Sequence, residues 1–320
     1  MAGSGVSGLA FPLLVLTITH STIAAGLVGF FGSAPRLLFS LPAGVLVDRW
    51  DRRLTMMLCD SGRALALGSV ALTLCAGVLP VVQLDIVAFV EGSLSVVFSL
   101  AESAVIPRVV PPDQLTEAAS IDQASGQVGS LVGPPLGGLL YGLAHLLPFA
   151  VDAVSYVLSV LSLQFVVTPL QEERQRSNQR VLSEVGQGIR WSWHHPFIRV
   201  SVFLLGGINF LAAAQGLAVI VLVRRLGATP PQIGLVFTIY SLGGLLGSLV
   251  AGRVGRSVRL GMALICVQWS FALLFPLYTL APNFIIVGII GAAMVAMGIG
   301  WNVLAIGYLA GLIPDALQGR

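Results

Sequence analysis

Leu41-Pro42-Ala43-Gly44-Val45-Leu46-Val47-Asp48-Arg49-Trp50-Asp51-Arg52-Arg53 is a short charged turn between two long apolar runs, one ending at Val47 and the next starting at Leu54. Such a turn cannot rest in hydrocarbon, where unpaired charge is expensive, so its place is in water between two membrane helices. Three arginines in so short a turn put it on the cytoplasmic side. The rest of the chain takes its orientation from this point.

Composition agrees. Of 320 residues, 56% are hydrophobic and 10% charged, against about 25% charged in soluble domains. The expectation is an all-α polytopic membrane protein, since a helix of about 20 residues crosses roughly 30 Å of hydrocarbon. The 37 glycines suit close helix packing in lipid. All 17 basic residues are arginine and the net charge is +3. This balance does not point to nucleic acid, and the Arg-only, Ala/Gly/Leu/Val-rich composition points to a GC-rich bacterial genome. Cys59, Cys75 and Cys266 are scattered in apolar runs with neither metal-ligand nor disulfide spacing. The start of the first span leaves no room for a basic signal-peptide region.

Ten spans follow from the apolar runs: about 2–19, 22–47, 54–79, 83–106, 117–142, 146–168, 197–223, 231–252, 259–280 and 283–312. Gly3, Gly5 and Gly8 formally match a dinucleotide fingerprint, but with no strand before them they read as helix-packing glycines. Arginine is concentrated in the even-numbered loops and nearly absent from the odd-numbered ones, which hold only Arg224 and Arg225. The N-terminus is therefore expected in the cytoplasm of a multi-pass plasma-membrane protein. The longest polar segment divides the chain into residues 1–168, a six-helix bundle; 169–196, a cytoplasmic linker; and 197–320, an incomplete second bundle of four helices. Within the linker Leu182, Val185, Ile189 and Trp193 keep helical spacing, as in a surface helix. Gly26-Leu27-Val28 and Gly44 recur at the same spacing as Gly234-Leu235-Val236 and Gly252, the mark of parallel halves. Pro112-Asp113-Gln114-Leu115 precedes the fifth span, and its echo Pro314-Asp315-Ala316-Leu317 would precede an eleventh. By that repeat two helices are expected beyond this chain, and the weakly helix-forming start of the first span implies a few N-terminal residues as well.

The charged turn contains Gly44-x-x-x-Asp48-Arg49-x-x-Arg52-Arg53, and this pattern resembles the loop between the second and third helices of major facilitator superfamily transporters. Asp51 stands where the family usually has glycine. In the fifth span Gly129, Gly133 and Gly137 lie four apart on one face, where a neighbouring backbone can approach closely. Pro134 and Pro135 bend the helix. Gly133-Pro134-x-x-Gly137-Gly138 is similar to the fifth-helix motif of antiporters in the superfamily. With Pro107-Arg108, Ala118-Ala119-Ser120-Ile121 and Phe149-x-x-Asp152-Ala153-x-Ser155, the chain looks like the enterobactin-exporter and macrolide-efflux branch. The resemblance implies the twelve-helix facilitator fold, here with about ten helices. It also implies that Asp48 steadies one conformational state against an eleventh helix, as a carboxylate at the positive end of a helix dipole.

Charges inside spans mark function or pairing. Arg36 lies mid-span in the second helix. Asp60 and Arg63 are three apart in the third, placed to pair. Glu91 and Asp152 are the candidate proton carriers, because a carboxyl in an apolar interior can take up a proton. Glu102 and Asp122 lie near cytoplasmic ends. The second half offers Asn209, Gln215, Gln268, Trp269 and Asn302 as polar or aromatic cavity candidates. No catalytic, phosphate-binding or metal constellation appears, and the adjacent His194 and His195 read as solvent-facing, so neither enzyme chemistry nor a cofactor is expected. The expected function is export of an amphipathic small molecule such as a drug, macrolide or siderophore against proton entry, by a monomer in the lipid bilayer. An importer or uniporter of the same fold is one alternative. A transport-incompetent fragment that keeps only packing or partner-binding capacity is another.

Overall fold

The structure is a computed structural model describing residues 2–111, 114–165, 193, 199–200, 214–254 and 260–312. The described residues form helices and contain no strand. They are α1 (Ala2–Thr19), α2 (Thr22–Arg49), α3 (Arg52–Cys75), α4 (Val81–Val109), α5 (Leu115–Leu143), α6 (Leu147–Gln164), α7 (214–225), α8 (Pro230–Val254), α9 (Leu260–Leu274) with a 3-10 extension (Phe275–Leu280), and α10 (Phe284–Leu312). Among them, Thr22–Ser40, Arg52–Cys75, Val81–Ile106, Leu147–Gln164 and Pro230–Val250 are each long and apolar enough to cross a membrane.

The charged turn proves tighter than its sequence suggests. Helix α2 runs to Arg49 and α3 begins at Arg52, so only Trp50 and Asp51 lie between them. Asp51 is the N-cap of α3, accepting a hydrogen bond from the Leu54 amide at 2.8 Å. A capping carboxylate satisfies one of the amides that a helix start leaves unpaired. This gives the aspartate a structural reason where the family pattern has glycine.

Helix α1 runs through the middle of the first half, packing on α5, α2 and α6. Phe11 meets Phe149 of α6 edge to face, with ring centroids 5.1 Å apart. The contact with α5 is made through backbone. A Cβ on Gly5 would lie 3.2 Å from the Cα of Gly133, and one on Gly137 would lie 2.6 Å from the Val6 carbonyl oxygen. Gly5 is thus a packing glycine, whereas a Cβ on Gly8 would meet nothing within 4 Å. Helix α2 packs on α4, α3 on α4 and α6, and α8 on α10. Gly243 and Gly247 of α8 press on Ala292 and Ala296 of α10, leaving no room for a Cβ.

Candidate functional site

Among the described residues, the two halves meet at one end. Gly142 of α5 lies against Pro231 of α8, and Pro134 and Gly138 lie against Gly234. The last direct link is the Ser241 hydroxyl, which donates to the Ser130 carbonyl at 3.0 Å. Beyond it, Gln123, Ala124 and Ser125 of α5 and Leu245, Leu246, Leu249 and Val250 of α8 are exposed. The apolar core behaves the same way. At the joined end one cluster unites Leu13 and Val15 of α1 and Phe149 of α6 with Val219 and Val223 of α7 and Ile233 of α8. At the other end the cluster of Val47, Met56 and Ala101 draws, among the described residues, on the first half. The result is a cleft closed at the end bearing Gly77, His145 and Gly227 and open at the end bearing the Trp50–Asp51 turn.

The glycine motif of α5 is what permits this closure. Its face divides in two: Gly129, Gly133 and Gly137 take up α1, whereas Pro134 and Gly138 take up α8. The stripe expected to admit another backbone admits α1, and Pro134 and Gly138 beside it admit α8.

Beside the cleft, inside the first half, lies a buried charge cluster. Arg63 of α3 donates to Glu91 of α4 at 2.8 Å, to Asp60 one turn away at 3.4 Å, and to the hydroxyl of Tyr156 on α6. Its guanidinium also stacks 4.0 Å from the centre of the Tyr156 ring. The Tyr156 hydroxyl in turn donates to Glu91 at 3.3 Å. Asp152, one turn before Tyr156, is wholly buried. Its Oδ1 accepts from Ser155 at 3.2 Å, while Oδ2 has no hydrogen-bond partner among the described residues. Ser7 of α1 stands beside this carboxyl, and Ser159 of α6 beside Asp60.

Asp60, Arg63, Glu91 and Asp152 are therefore in one neighbourhood. Glu91 is not a lone deep charge, because Arg63 holds it. Arg36 is outside the cluster: its side chain is exposed on α2, with no hydrogen bond or ion pair among the described residues. Tyr156 and Ser159 escaped the sequence reading, and Ser155 entered it only as part of a family motif. The signal was present, since Asp152, Ser155, Tyr156 and Ser159 share one face of an otherwise apolar helix.

In the second half Gln215 is engaged within the bundle. It donates to the Tyr278 hydroxyl at 3.0 Å, and that hydroxyl shares a 2.6 Å hydrogen bond with Tyr240. Gln215 and Tyr278 border a cavity of about 230 Å³. Gln268 and Trp269 are exposed on α9, which packs on α10 and its own 3-10 extension. Helix periodicity could not show which face of so apolar a helix turns inward. The side chains of Asp48, Arg49 and Asn302, together with Asn209, His194 and His195, lie outside the described residues. So does the linker, apart from Trp193.

Two bundles joined at one end around a cleft, with charges buried in the bundle wall, define a multi-pass membrane transporter. The chain belongs to the Major Facilitator Superfamily, whose family model matches residues 1–320. It is 26% identical over 333 residues to the enterobactin exporter EntS of Escherichia coli O1:K1, covering 99% of this chain and 76% of that protein. Among solved structures it is similar to the nucleoside transporter NupG, with a TM-score of 0.73 at 12% identity, covering 99% of this chain and 84% of the other. It is also similar to a bacterial homologue of the human lysosomal transporter Spinster in an inward-facing, unoccupied conformation. There the TM-score is 0.65 at 13% identity, covering 95% of this chain and 71% of the other.

Proposed function

We propose that this protein exports an amphipathic small molecule across a bacterial inner membrane in exchange for protons. The observation that carries the reading is the one-ended junction of α5 and α8, because a cleft closed at Gly138 and Gly234 and open beyond Ser130 and Ser241 is one state of an alternating-access cycle. Rocking about that junction opens the opposite end. The arginine-bearing loops set the open end in the cytoplasm. Importers and exporters share this fold, so the fold gives no direction. The antiporter-like Gly133-Pro134-x-x-Gly137-Gly138 motif and the relative named as an enterobactin exporter support export.

Proton coupling is assigned to the buried cluster. One guanidinium, Arg63, pairs with both Asp60 and Glu91, which leaves the wholly buried Asp152 without an ion-pair partner among the described residues, and a buried, unpaired charge marks function in a membrane interior. Asp152 lacks a partner on one oxygen, and Glu91 lies nearest to water, with 16% of its side chain exposed. These two are the carriers, and Arg63 and Tyr156 link Glu91 to the rest of the cluster.

The test is a pH-gradient assay in proteoliposomes. Adding an amphipathic cargo to acid-loaded vesicles dissipates the gradient in the wild type, and Asp152→Asn and Glu91→Gln abolish that dissipation while cargo still binds. Coupled flux that survives both substitutions overturns the carrier assignment. Cargo accumulation in intact cells overturns export.

A further inference from the structure

Helix α2 carries one stripe that leads from the closed junction into the open cleft. Thr22, Gly26, Gly29, Ser33, Arg36 and Ser40 follow alternating spacings of four and three, so they share a face. At the closed end this face meets the second half: Thr22 lines a cavity with Leu217 and Val221 of α7, and a Cβ on Gly26 would lie 3.6 Å from Leu217. Further along, the same face is uncovered. Ser33, Arg36 and Ser40 are exposed. Meanwhile α2 turns Gly32, Pro35 and Phe39 toward α4, with Gly32 against Gly92 and Phe39 against Phe89. Arg36 thus faces the second half across the cleft, about 20 Å along α2 from Thr22.

An arginine at that depth requires an anion or water. The Ser33 hydroxyl beside it is occupied by the Gly29 carbonyl at 2.5 Å. Among the described residues the opposing half holds no carboxylate to serve as a counter-ion, since no aspartate or glutamate occurs between Glu184 and Asp315. In the first half, Glu91 is at the same level of α4 but is held by Arg63. Among the described residues the cation of Arg36 has no carboxylate partner, which leaves it open to a cargo anion.

We propose that Arg36 binds the acidic group of the cargo, so that the cleft selects amphipathic organic anions. This deepens the exporter reading and rests on the cleft being the substrate path. A guanidinium forms paired, charge-assisted hydrogen bonds with a carboxylate or similar oxyanion, and its strength grows away from bulk water. The exposed Leu245 of α8, one turn beyond Ser241 on the same helix face, suits the apolar rest of such a molecule.

The test uses a matched probe pair, 11-(dansylamino)undecanoic acid and its methyl ester, which differ by one negative charge. Binding to the full chain in nanodiscs is read from dansyl fluorescence against empty discs. The wild type binds the acid more tightly than the ester. Arg36→Gln weakens the acid about tenfold and leaves the ester unchanged, and Arg36→Lys recovers most of the loss. Absent acid binding, an acid affinity unmoved by Arg36→Gln, or equal weakening of both probes overturns the proposal. Gradient-driven flux of the neutral ester separates the two readings. Ester flux without acid preference ends the anion proposal and keeps the transporter. Arg36-dependent acid binding without any flux does the reverse.

Discussion

Gly138 and Gly234 hold the two halves backbone to backbone: a Cβ built on Gly138 would lie 3.2 Å from the Cα of Gly234. In the other direction, a Cβ on Gly234 would stand 2.6 Å from the Pro134 carbonyl oxygen and 2.9 Å from the Pro135 Cα. These neighbours are main-chain atoms of a helix made rigid by two prolines, so they cannot yield as a side-chain tip would. Gly234→Val therefore drives the halves apart at this end and favours the state closed at the other. With native cysteines replaced, spin labels at His145 and Arg225 report the closed end, and labels at Gln123 and Val250 the open one. The first distance is expected to lengthen by several ångströms and the second to shorten. Unchanged distances would show that the junction tolerates a side chain.

The Arg63 cluster predicts an asymmetry in stability. Removing the one cation leaves Asp60 and Glu91 buried without it, whereas removing one carboxyl leaves Arg63 other partners. Breaking a buried pair from one side costs about 3–5 kcal/mol. Arg63→Leu is expected near that range, measured as a shifted denaturation midpoint in detergent. The double variant Arg63→Leu with Glu91→Gln is expected to recover at least about 1 kcal/mol of the loss through coupling between the two sites. A double variant no more stable than the single one would mean that the contact contributes little.

Helix starts were legible where the chain carries charge or a helix breaker, such as Asp51 and Arg52 before α3 and Pro80 before α4. The α5 glycines were legible as a packing stripe, since spacing of four has one geometric meaning in a helix. Facing was less legible. Helices as uniformly apolar as α4 and α9 carry no stripe that turns one side inward, so Gln268 and Trp269 gave no sign of which way they turn. The bond from Arg63 to Glu91 joins two helices at a register set only by packing. Arg36 read as a buried charge because its place mid-span was visible and its direction was not. The stripe from Thr22 to Ser40 supplies that direction once the Gly26–Leu217 contact is known.

Two arginines of the charged turn fasten the open end of the first half. Arg52 donates to the Ala104 carbonyl at 2.7 Å, in the last turns of α4. Arg53 donates to Leu163 at 2.9 Å and to Gln164 at 2.6 Å. The last carbonyls of a helix have no partner within it, so Arg53 caps α6. Arg53→Gln is expected to loosen the end of α6 by about 1.5 kcal/mol, the lower range for a hydrogen bond to a charged group. Hydrogen exchange at the end of α6 is then about tenfold faster, while α1 and α5 are unaffected. Exchange that is faster throughout the bundle would indicate a global role for Arg53 instead.

Cys75 gives a direct reading of orientation. Helix α3 has 24 residues, a length of about 36 Å, which exceeds the roughly 30 Å of hydrocarbon in a bilayer. Its two ends must therefore lie on opposite sides of the membrane. The end at Arg52 and Arg53 belongs in the cytoplasm by the positive-inside rule, which places Cys75 outside it. Cys75 is exposed, while Cys59 is buried one turn before Arg63. In a Cys266→Ser background, a membrane-impermeant maleimide added to intact cells is expected to label Cys75 and leave Cys59 unreacted until the protein is denatured. Labelling of Cys75 only after the membrane is permeabilised would reverse the assigned orientation. The open end of the cleft would then face outward, and the direction proposed for transport would lose its structural basis.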